Sequence, residues 1–243
     1  MSGYSVFPVT GLPELHKGDD LAAMILERVE LEDGDIVVVA QKAISKIEGR
    51  IVRLDDLEPS EQAREIAGDE EDPRRIEAIL REAKSIVRIR APLVICETHD
   101  GFICASAGVD ASNTTEPDTV ILLPVDSDAS AAALRDTLSE RSEREVGVIV
   151  TDSFGRPWRQ GTIDVAIGAA GIVVLQDMRG QQDSVGHELR STVIAVADEI
   201  ASAAQLVAGK LDRIPVTIVR GLDLRGDGRA QEIPVPAERD LFR

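Results

Sequence analysis

The sequence of 243 residues is poor in cysteine and in aromatic side chains. Its two cysteines, Cys96 and Cys104, are too few for a disulfide framework or a cysteine-based zinc site. One tryptophan, one tyrosine and four phenylalanines mean that the core is built from aliphatic residues. No apolar run reaches the roughly 18 residues of a membrane-spanning helix, and residues 1–10 lack the charged and apolar regions of a signal peptide. These absences predict a soluble, cytoplasmic protein.

Positive charge is also scarce. The chain has 44 acidic residues against 27 Lys and Arg, which gives a formal net charge of −17. This excess argues against a nucleic-acid binder and against docking on an anionic membrane, because both need clustered cations. Only five of the basic residues are lysines. Abundant acid with little lysine predicts a halophilic protein from a high-salt cytosol, where short Debye lengths tolerate crowded like charges. The other interpretation is an ordinary acidic soluble protein.

The apolar pattern predicts strands and helices without a regular βαβ alternation. Continuous apolar or hairpin-like runs predict strands at 36–40, 93–98, 102–105, 120–125, 146–150, 172–175 and 215–219. The 3.6-residue period predicts a helix from Pro73 through Val87 capped by Asp72, a second over 129–138 capped by Ser127 or Asp128, and a third over 189–209. A short helix is expected within 54–72, and the tail from 222 should be irregular. This mixture predicts an α+β fold, with mixed sheets and packed helices in two closely associated subdomains.

Common catalytic signatures, including GxSxG, HExxH and GxGxxG, are missing, so polar segments after apolar runs are the candidate sites. In SAGVDASN (106–113), Asp110 and Asn113 offer oxygen or amide groups, and the other interpretation is a tight turn held by Asx hydrogen bonds. The polar loop expected at 151–161 contains Asp152, which suits a divalent cation, and Arg156 and Arg159, which suit anionic substrate groups. Its other interpretation is a salt-bridged surface loop.

Two further polar segments complete the candidate site. Residues 11–14 and a turn expected over 41–46 add backbone amides and two of the scarce lysines. For each lysine alone, a solvated surface position is the simpler interpretation. Together the segments predict an enzyme that uses a divalent metal, with an anionic substrate and a nucleotide.

Several of these segments resemble one known family. They are GLPEL (11–15), SKIEGR (45–50), ICETHDGFICASAGVDASN (95–113), TDSFGRPWRQG (151–161), DVAIGAAGI (164–172), VADEIASAAQLVAGK (196–210), IPVTIVRG (214–221) and DLFR (240–243). In this order they resemble the coenzyme F420:L-glutamate ligases, also called F420-0:γ-glutamyl ligases. The resemblance spans nearly the whole chain and implies a single ligase domain over 1–243, with no fused second enzyme.

The resemblance implies an activity and its partners. Members of this family join L-glutamate to coenzyme F420-0 at the expense of GTP, with two divalent ions (Mg²⁺ or Mn²⁺) and K⁺, and they form homodimers. The implied route is an acyl phosphate on the lactyl carboxylate, which the amino group of glutamate attacks, followed by γ-linked additions. Two other functions stay open: a ligase of the same fold with a different acceptor or amino acid, and a non-catalytic GTP-binding scaffold.

The resemblance also assigns residues. It implies GTP contacts for Gly11, Leu12, Pro13, Glu14, Gln41, Lys46, Asn113, Ala203, Ala204, Gln205, Leu206, Val207, Ala208, Gly209 and Lys210, and metal ligation for Asp110, Asp152, Ser153 and Gln205. Arg156 and Arg159 are candidate substrate contacts. Gln205 stands where the family usually has a glutamate, so the second metal should bind more weakly, unless Glu199 or Asp183 compensates.

The acidic composition predicts a salt response. The free energy of unfolding should rise steeply between low and molar KCl, because dissolved ions screen the repulsion among the surface carboxylates. Urea unfolding at a series of KCl concentrations measures this, and a flat response would contradict the assignment to a high-salt cytosol.

Overall fold

The computed structural model of the chain describes residues 3–241. Phe242 and Arg243, the last half of the DLFR motif, lie outside the described residues, as do Met1 and Ser2 of the N-terminal segment. The strands are β1 (Ser5–Pro8), β2 (Ile36–Ala40), β3 (Ile51–Arg53), β4 (Ala83–Arg90), β5 (Leu93–Thr98), β6 (Ile103–Ala105), β7 (Thr119–Ile121), β8 (Gly147–Arg156), β9 (Arg159–Ala170), β10 (Gln176–Asp177), β11 (Val193–Ile194) and β12 (Val216–Arg220). The α-helices are α1 (Leu21–Leu26), α2 (Gln41–Glu48), α3 (Glu61–Ala67), α4 (Pro73–Glu82), α5 (Ser127–Ser142) and α6 (Val196–Ala208).

The main sheet has five strands in the order β1-β12-β2-β8-β9. Its centre is the parallel pair β2 and β8, with Ile36 opposite Gly147 and Ala40 opposite Thr151, and the other neighbours are antiparallel. β2 and the first part of β8 (147–150) are continuous apolar runs because both faces are buried there. Residues from this sheet and from α1, α2, α5 and α6 share one hydrophobic cluster.

A second hydrophobic cluster lies under the smaller sheets. Residues of α3, α4, β5 and β7 build it, and the pairs β3–β7 and β4–β5–β6 form sheets of two and three strands. The core is aliphatic in both clusters, with Phe102 the one aromatic residue among their fully buried members. Mixed sheets with packed helices and two clusters confirm the α+β prediction.

Two predicted helices are shorter than their apolar periodicity suggests. α4 begins at Pro73 with Asp72 as its cap, as predicted, but it ends at Glu82, and Val87 lies in β4. The predicted helix over 189–209 begins only at Val196, and Val193–Ile194 pairs with β10 instead. In both places β-branched residues lie in a strand with an antiparallel partner, β5 in the first case and β10 in the second, and this pairing overrides the local helical period.

The remaining predictions mostly hold, with three corrections. The strands at 36–40, 93–98, 102–105 and 215–219, the short helix within 54–72 and the irregular tail are present to within two residues. The run at 120–125 contributes only Thr119–Ile121, and 172–175 forms no strand, although Ile172 makes one bridge to Arg225. The cap of α5 is Asp126, which accepts from Ala129 N at 2.8 Å.

Asp128 does not cap α5 as predicted but binds backbone groups of two other segments. Its carboxylate is buried, and it accepts hydrogen bonds from the backbone N–H groups of Ala169, Ala230 and Gln231 at 2.7, 2.8 and 3.2 Å. It therefore ties the C-terminal segment to β9. No helix within residues 3–241 is both long enough and apolar enough to cross a membrane.

Arg220 joins three strands of the main sheet. Its Nε and Nη2 donate to the two oxygens of Asp35, each at 2.7 Å, and its guanidinium lies 5.2 Å from the centre of the Phe7 ring. Nη1 also pairs with Glu32. Asp35 directly precedes β2 and its side chain is fully buried, so this guanidinium neutralises a carboxylate that has no access to water.

Replacing Arg220 with Met should therefore destabilise the protein by about 3–5 kcal/mol, because the Asp35 carboxylate stays buried without a partner. Arg225→Met is the matched control, since Arg225 pairs with Asp223 and Glu145 on the surface and should cost at most about 1 kcal/mol. Urea unfolding measures both changes. Equal losses in the two variants would contradict the role given to Arg220.

Candidate functional site

The candidate site lies where β2 and β8 run side by side in parallel. Ala40, the last residue of β2, is opposite Thr151, and both chains continue in the same direction. The register therefore places the start of α2 next to Asp152 and Ser153, although about 110 residues of sequence separate them.

The segment 41–46 is the first part of helix α2 rather than the predicted turn. The helix ends at Gly49, whose φ of +77° is in the left-handed region that favours glycine. Lys42 and Lys46 are four residues apart and so share a helix face. Gln41 is 1% exposed and its Oε1 accepts from Ser45 Oγ at 2.9 Å, while its Nε2 has no hydrogen-bond partner. The helix thus presents two cations and one unused buried donor.

Segment 106–113 brings Asp110 to this helix. Ser106 and Ala107 have φ values of +57° and +48°, and Gly108 has a φ of +73°. A Cβ on Gly108 would lie 2.5 Å from Leu123 Cγ, so glycine is needed at this close approach. Asp110 then pairs with Ile121 through both backbone hydrogen bonds, at 3.0 and 2.8 Å. The strained turn and this bridge fix where the carboxylate points.

The carboxylate of Asp110 is held from two sides. Ser112 N donates to Oδ1 at 2.6 Å, which confirms the predicted Asx turn, and Lys42 Nζ lies 2.6 Å from Oδ2. Lys42 also donates to Ser112 Oγ at 2.6 Å. Burial alone would raise the pKa of Asp110, but the hydrogen bonds and the charge of Lys42 outweigh it and lower that pKa. Asp110 therefore stays ionised.

The predicted polar loop over 151–161 is wrong: these residues form the ends of β8 and β9 and the turn between them. Asp152 is opposite Val165, and Ser153 is opposite Asp164. Ser153 Oγ donates to Asp164 Oδ1 at 2.6 Å. The polar residues of β8 therefore pair with residues of β9 through backbone hydrogen bonds. The residue pattern within 151–161 alone could not show this pairing.

Burial and like charges act together on Asp152. Loss of water raises the pKa of Asp152 to about 7, and repulsion from Asp110 and Asp164 adds to this, while Lys42 acts in the opposite direction. Burial, and then the charge of Asp152, raise the pKa of the neighbouring Cys104 thiol to about 12, so this cysteine stays protonated. Three carboxylates thus influence one another across β8, β9 and the 106–113 segment, with Lys42 as the cation among them.

Residues 11–14 reach the same helix from the other side. Glu14 forms an ion pair with Lys46, which is 9% exposed, and Gly11 O accepts from Arg28 Nε at 3.1 Å. The structure therefore places Glu14 against Lys46 of α2. The GTP contacts assigned to Gly11, Leu12, Pro13, Glu14, Gln41 and Lys46 stay predictions.

Residues 203–208 are the last turns of α6, followed by Gly209 at the helix end. One turn earlier, Ser202 Oγ donates to the backbone oxygen of Asp164 at 2.9 Å, which anchors the helix beside the carboxylates. Gln205 follows three residues later on a similar face and is partly exposed. Within residues 3–241 its side chain makes no hydrogen bond, and neither does the exposed side chain of Asn113.

Arg156 and Arg159 are opposite each other at the tip of the β8–β9 hairpin, which turns through Pro157 and Trp158. Four extended residues separate Arg156 from Asp152, a distance of about 13 Å along the strand. The structure thus keeps both arginines away from the carboxylates of their own chain. Their candidate role in binding substrate stays a prediction.

Asp164 is a site residue that sequence reasoning missed. It lies inside the quoted DVAIGAAGI segment, but only the hairpin register shows that it is opposite Ser153. The described residues contain no group of three His, Cys, Asp or Glu side chains placed to hold a metal ion. Asp110 and Asp152 nonetheless offer hard oxygens, whereas Ser153, next to Asp152 on the strand, lies on the other face with its hydroxyl bonded to Asp164. Mg²⁺ commonly binds to one or two carboxylates and completes its shell with phosphate and water.

Together these features define an α+β protein whose site holds carboxylates and lysines at the ends of adjoining strands. Residues 11–221 match the family model described as F420-0:gamma-glutamyl ligase. The chain therefore belongs to the F420-0:gamma-glutamyl ligase family, and the resemblance noted in the sequence is confirmed.

Named relatives extend this match over the full chain. The coenzyme F420:L-glutamate ligase of Methanopyrus kandleri is 45% identical over 253 residues, covering 100% of both chains. The proteins of the same name from Archaeoglobus fulgidus and Haloarcula marismortui are 44% and 41% identical, cover 98% of this chain, and are themselves covered over 96% and 95% of their length. Only the last of the three organisms carries a name that points to salt, so the high-salt origin stays a prediction.

Replacing Asp164 with Asn should lower the pKa of Asp152 from about 7, because it removes one of the two carboxylates that repel its charge. The asparagine oxygen can still accept from Ser153, so the hairpin geometry is kept. Side-chain carboxyl ¹³C NMR over a pH series measures the shift. Asp69→Asn, an exposed change in the α3–α4 connection, is the control, and an Asp152 pKa that is the same in both variants would contradict the coupling.

Proposed function

We propose that this protein adds L-glutamate to coenzyme F420-0 with the consumption of GTP. The observation that carries the proposal is the family match over 11–221 together with the Asp110, Lys42 and Asp152 arrangement at the junction of β2 and β8. A cluster with both signs of charge suits a reaction in which anionic groups must approach one another, since catalysis of this kind is mostly positioning and charge neutralisation.

In the proposed reaction, an oxygen of the lactyl carboxylate of F420-0 attacks the γ-phosphorus of GTP, and the bond to the β-phosphate oxygen breaks. GDP leaves and an acyl phosphate forms. The amino group of glutamate then attacks the acyl carbon, loses a proton, and inorganic phosphate departs with the bonding electrons. Further glutamates add through γ-carboxylates in the same way. No protein nucleophile is required, which agrees with the absence of conventional catalytic motifs.

The chain's own residues have distinct tasks in this proposal. Residues 11–14, Gln41, Lys46, Asn113 and 203–210 would bind GTP, and the unpaired buried Nε2 of Gln41 supplies a donor that a nucleotide oxygen or base can use. Lys46 would hold phosphate charge once it exchanges Glu14 for the nucleotide. The ordering of these groups before substrate arrives lowers the cost of aligning two anions.

Asp110, Asp152 and Ser153 would hold the divalent ions, with Gln205 at the second one. When bound, these Mg²⁺ or Mn²⁺ ions neutralise phosphate charge during transfer, and K⁺ adds to this. The hard-oxygen donor set fits such ions. Ionised Asp152 is disfavoured in its present surroundings, and a cation would remove that cost. Gln205 offers an amide oxygen without charge, so the second ion should bind more weakly than the first.

We also propose a cytoplasmic homodimer in which residues 1–243 act as one ligase domain. The three-stranded sheet supports the dimer, because Leu93 and Ile103 are 47% and 36% exposed on its strands, and Ile86 and Ile89 at its edge are 36% and 44% exposed. Four exposed aliphatic side chains on one small sheet suit a protein–protein interface.

The test is incubation of the protein with F420-0, GTP, Mn²⁺ and L-glutamate, followed by mass spectrometry. We expect mass increases of one or more glutamyl units together with GDP and phosphate in equal amounts. Asp152→Asn keeps the shape of the side chain and should reduce the rate by about a hundredfold. Arg75→Lys on α4, far from the junction, is the control.

Three outcomes would count against the proposal. GTP hydrolysis that is independent of acceptor would favour a GTP-binding scaffold. A mass increase with a different amino acid or acceptor would indicate a ligase of the same fold with another substrate. No product under any condition would contradict the ligase activity itself.

A further inference from the structure

Lys42 contacts the candidate site but has no task in the proposed reaction. It lies in the first turn of α2, its side chain is 16% exposed, and Nζ is 2.6 Å from both Asp110 Oδ2 and Ser112 Oγ. Its charge also acts on Asp152, in the direction opposite to that of Asp110 and Asp164. Lys46, on the same helix face, is already paired with Glu14. Lys42 is therefore the cation of α2 that pairs with Asp110 and whose charge reaches Asp152.

The oxygen that Lys42 contacts is the one a metal ion would need. Oδ1 of Asp110 is held by Ser112 N at 2.6 Å, because the Asx turn fixes that side of the carboxylate. Oδ2 takes no backbone hydrogen bond from Ser112, and the ammonium group of Lys42 lies against it. A divalent ion bound there would sit within a few ångströms of Nζ, and two positive charges at that distance in a partly buried site repel strongly. The lysine and the metal ion therefore compete for one oxygen.

A lysine suits such an exchange better than an arginine. Its ammonium is a compact point charge on a flexible stem, so it can leave one oxygen for another by rotating side-chain bonds. An arginine would hold the carboxylate through two parallel hydrogen bonds and would leave less readily.

We propose that Lys42 is an exchangeable counter-ion: it holds Asp110 before the divalent ion binds, and the arriving ion displaces it onto the anionic group of the substrate. This inference rests on the proposed function and deepens it, because it names the residue that couples cation binding to substrate binding. The contrary case is a permanent ion pair in which Lys42 orients the Asp110 carboxylate for the metal ion, so that removing the lysine weakens metal binding. The two cases predict opposite effects on metal affinity when the lysine is removed.

Titration with Mn²⁺ alone, followed by calorimetry or by the EPR signal of free Mn²⁺, distinguishes the exchangeable counter-ion from the permanent ion pair. Lys42→Met should bind the first Mn²⁺ about tenfold more tightly than the wild type, because the competing positive charge is gone. Lys42→Arg should bind it no more tightly than the wild type. Lys84→Met is the matched control, since it removes one lysine charge on the exposed β4 strand, where the lysine pairs with Glu97, and should leave Mn²⁺ affinity unchanged.

Equal or weaker Mn²⁺ binding by Lys42→Met would overturn the exchange and support a permanent ion pair. Circular dichroism checks that the variant is folded, and Lys42→Gln replaces it in the titration if it is not. With Mn²⁺ saturating, Lys42→Met should reduce kcat at least tenfold while Lys42→Arg retains more activity, and an unchanged kcat would overturn the transfer to substrate. The Mn²⁺ titration needs neither F420-0 nor GTP, so its result stands apart from any failure of the wild-type ligase assay.

Discussion

The parallel pairing of β2 with β8 is the constraint on which the site depends. With Ala40 opposite Thr151, the two strands end at the same edge of the sheet, and α2 begins beside Asp152. The antiparallel partner β9 then places Asp164 against Ser153, and α6 is anchored to β9 through Ser202. A slip of one residue in the central pair would turn Asp152 to the opposite face and separate it from Lys42.

The aliphatic core stabilises this strand register. β2 and β8 are buried on both faces by Val and Ile, and Arg220 neutralises Asp35 where β2 begins. The second hydrophobic cluster supports the 106–113 segment from below through Ala107 and Val109, while Asp110 faces α2. Rigid packing on one side of the strained turn therefore holds charged groups on the other, as a site for charge-neutralising chemistry requires.

The net charge of the whole chain does not describe the local charges at the candidate site. The total of −17 would repel anionic substrates from the surface as a whole. Two of the five lysines nevertheless lie on one face of α2, where both are largely buried in ion pairs. In the proposed reaction these ion pairs would hold the cations near the anionic substrates until the pairs exchange.

Sequence alone determined the aliphatic core, the buried central strands, the helix that starts at Asp72 and Pro73, and the family, because these depend on local pattern and on ordered motifs. It also identified Asp110 and Asp152 as candidate ligands, since carboxylates after buried strands are a local signal. Only the tertiary structure decided that 151–161 is a hairpin, that Val87 and Val193 belong to strands, and that Asp164 faces Ser153. Each of these depends on a partner strand and its register, and the pairing of one strand with another leaves no periodic trace within either segment.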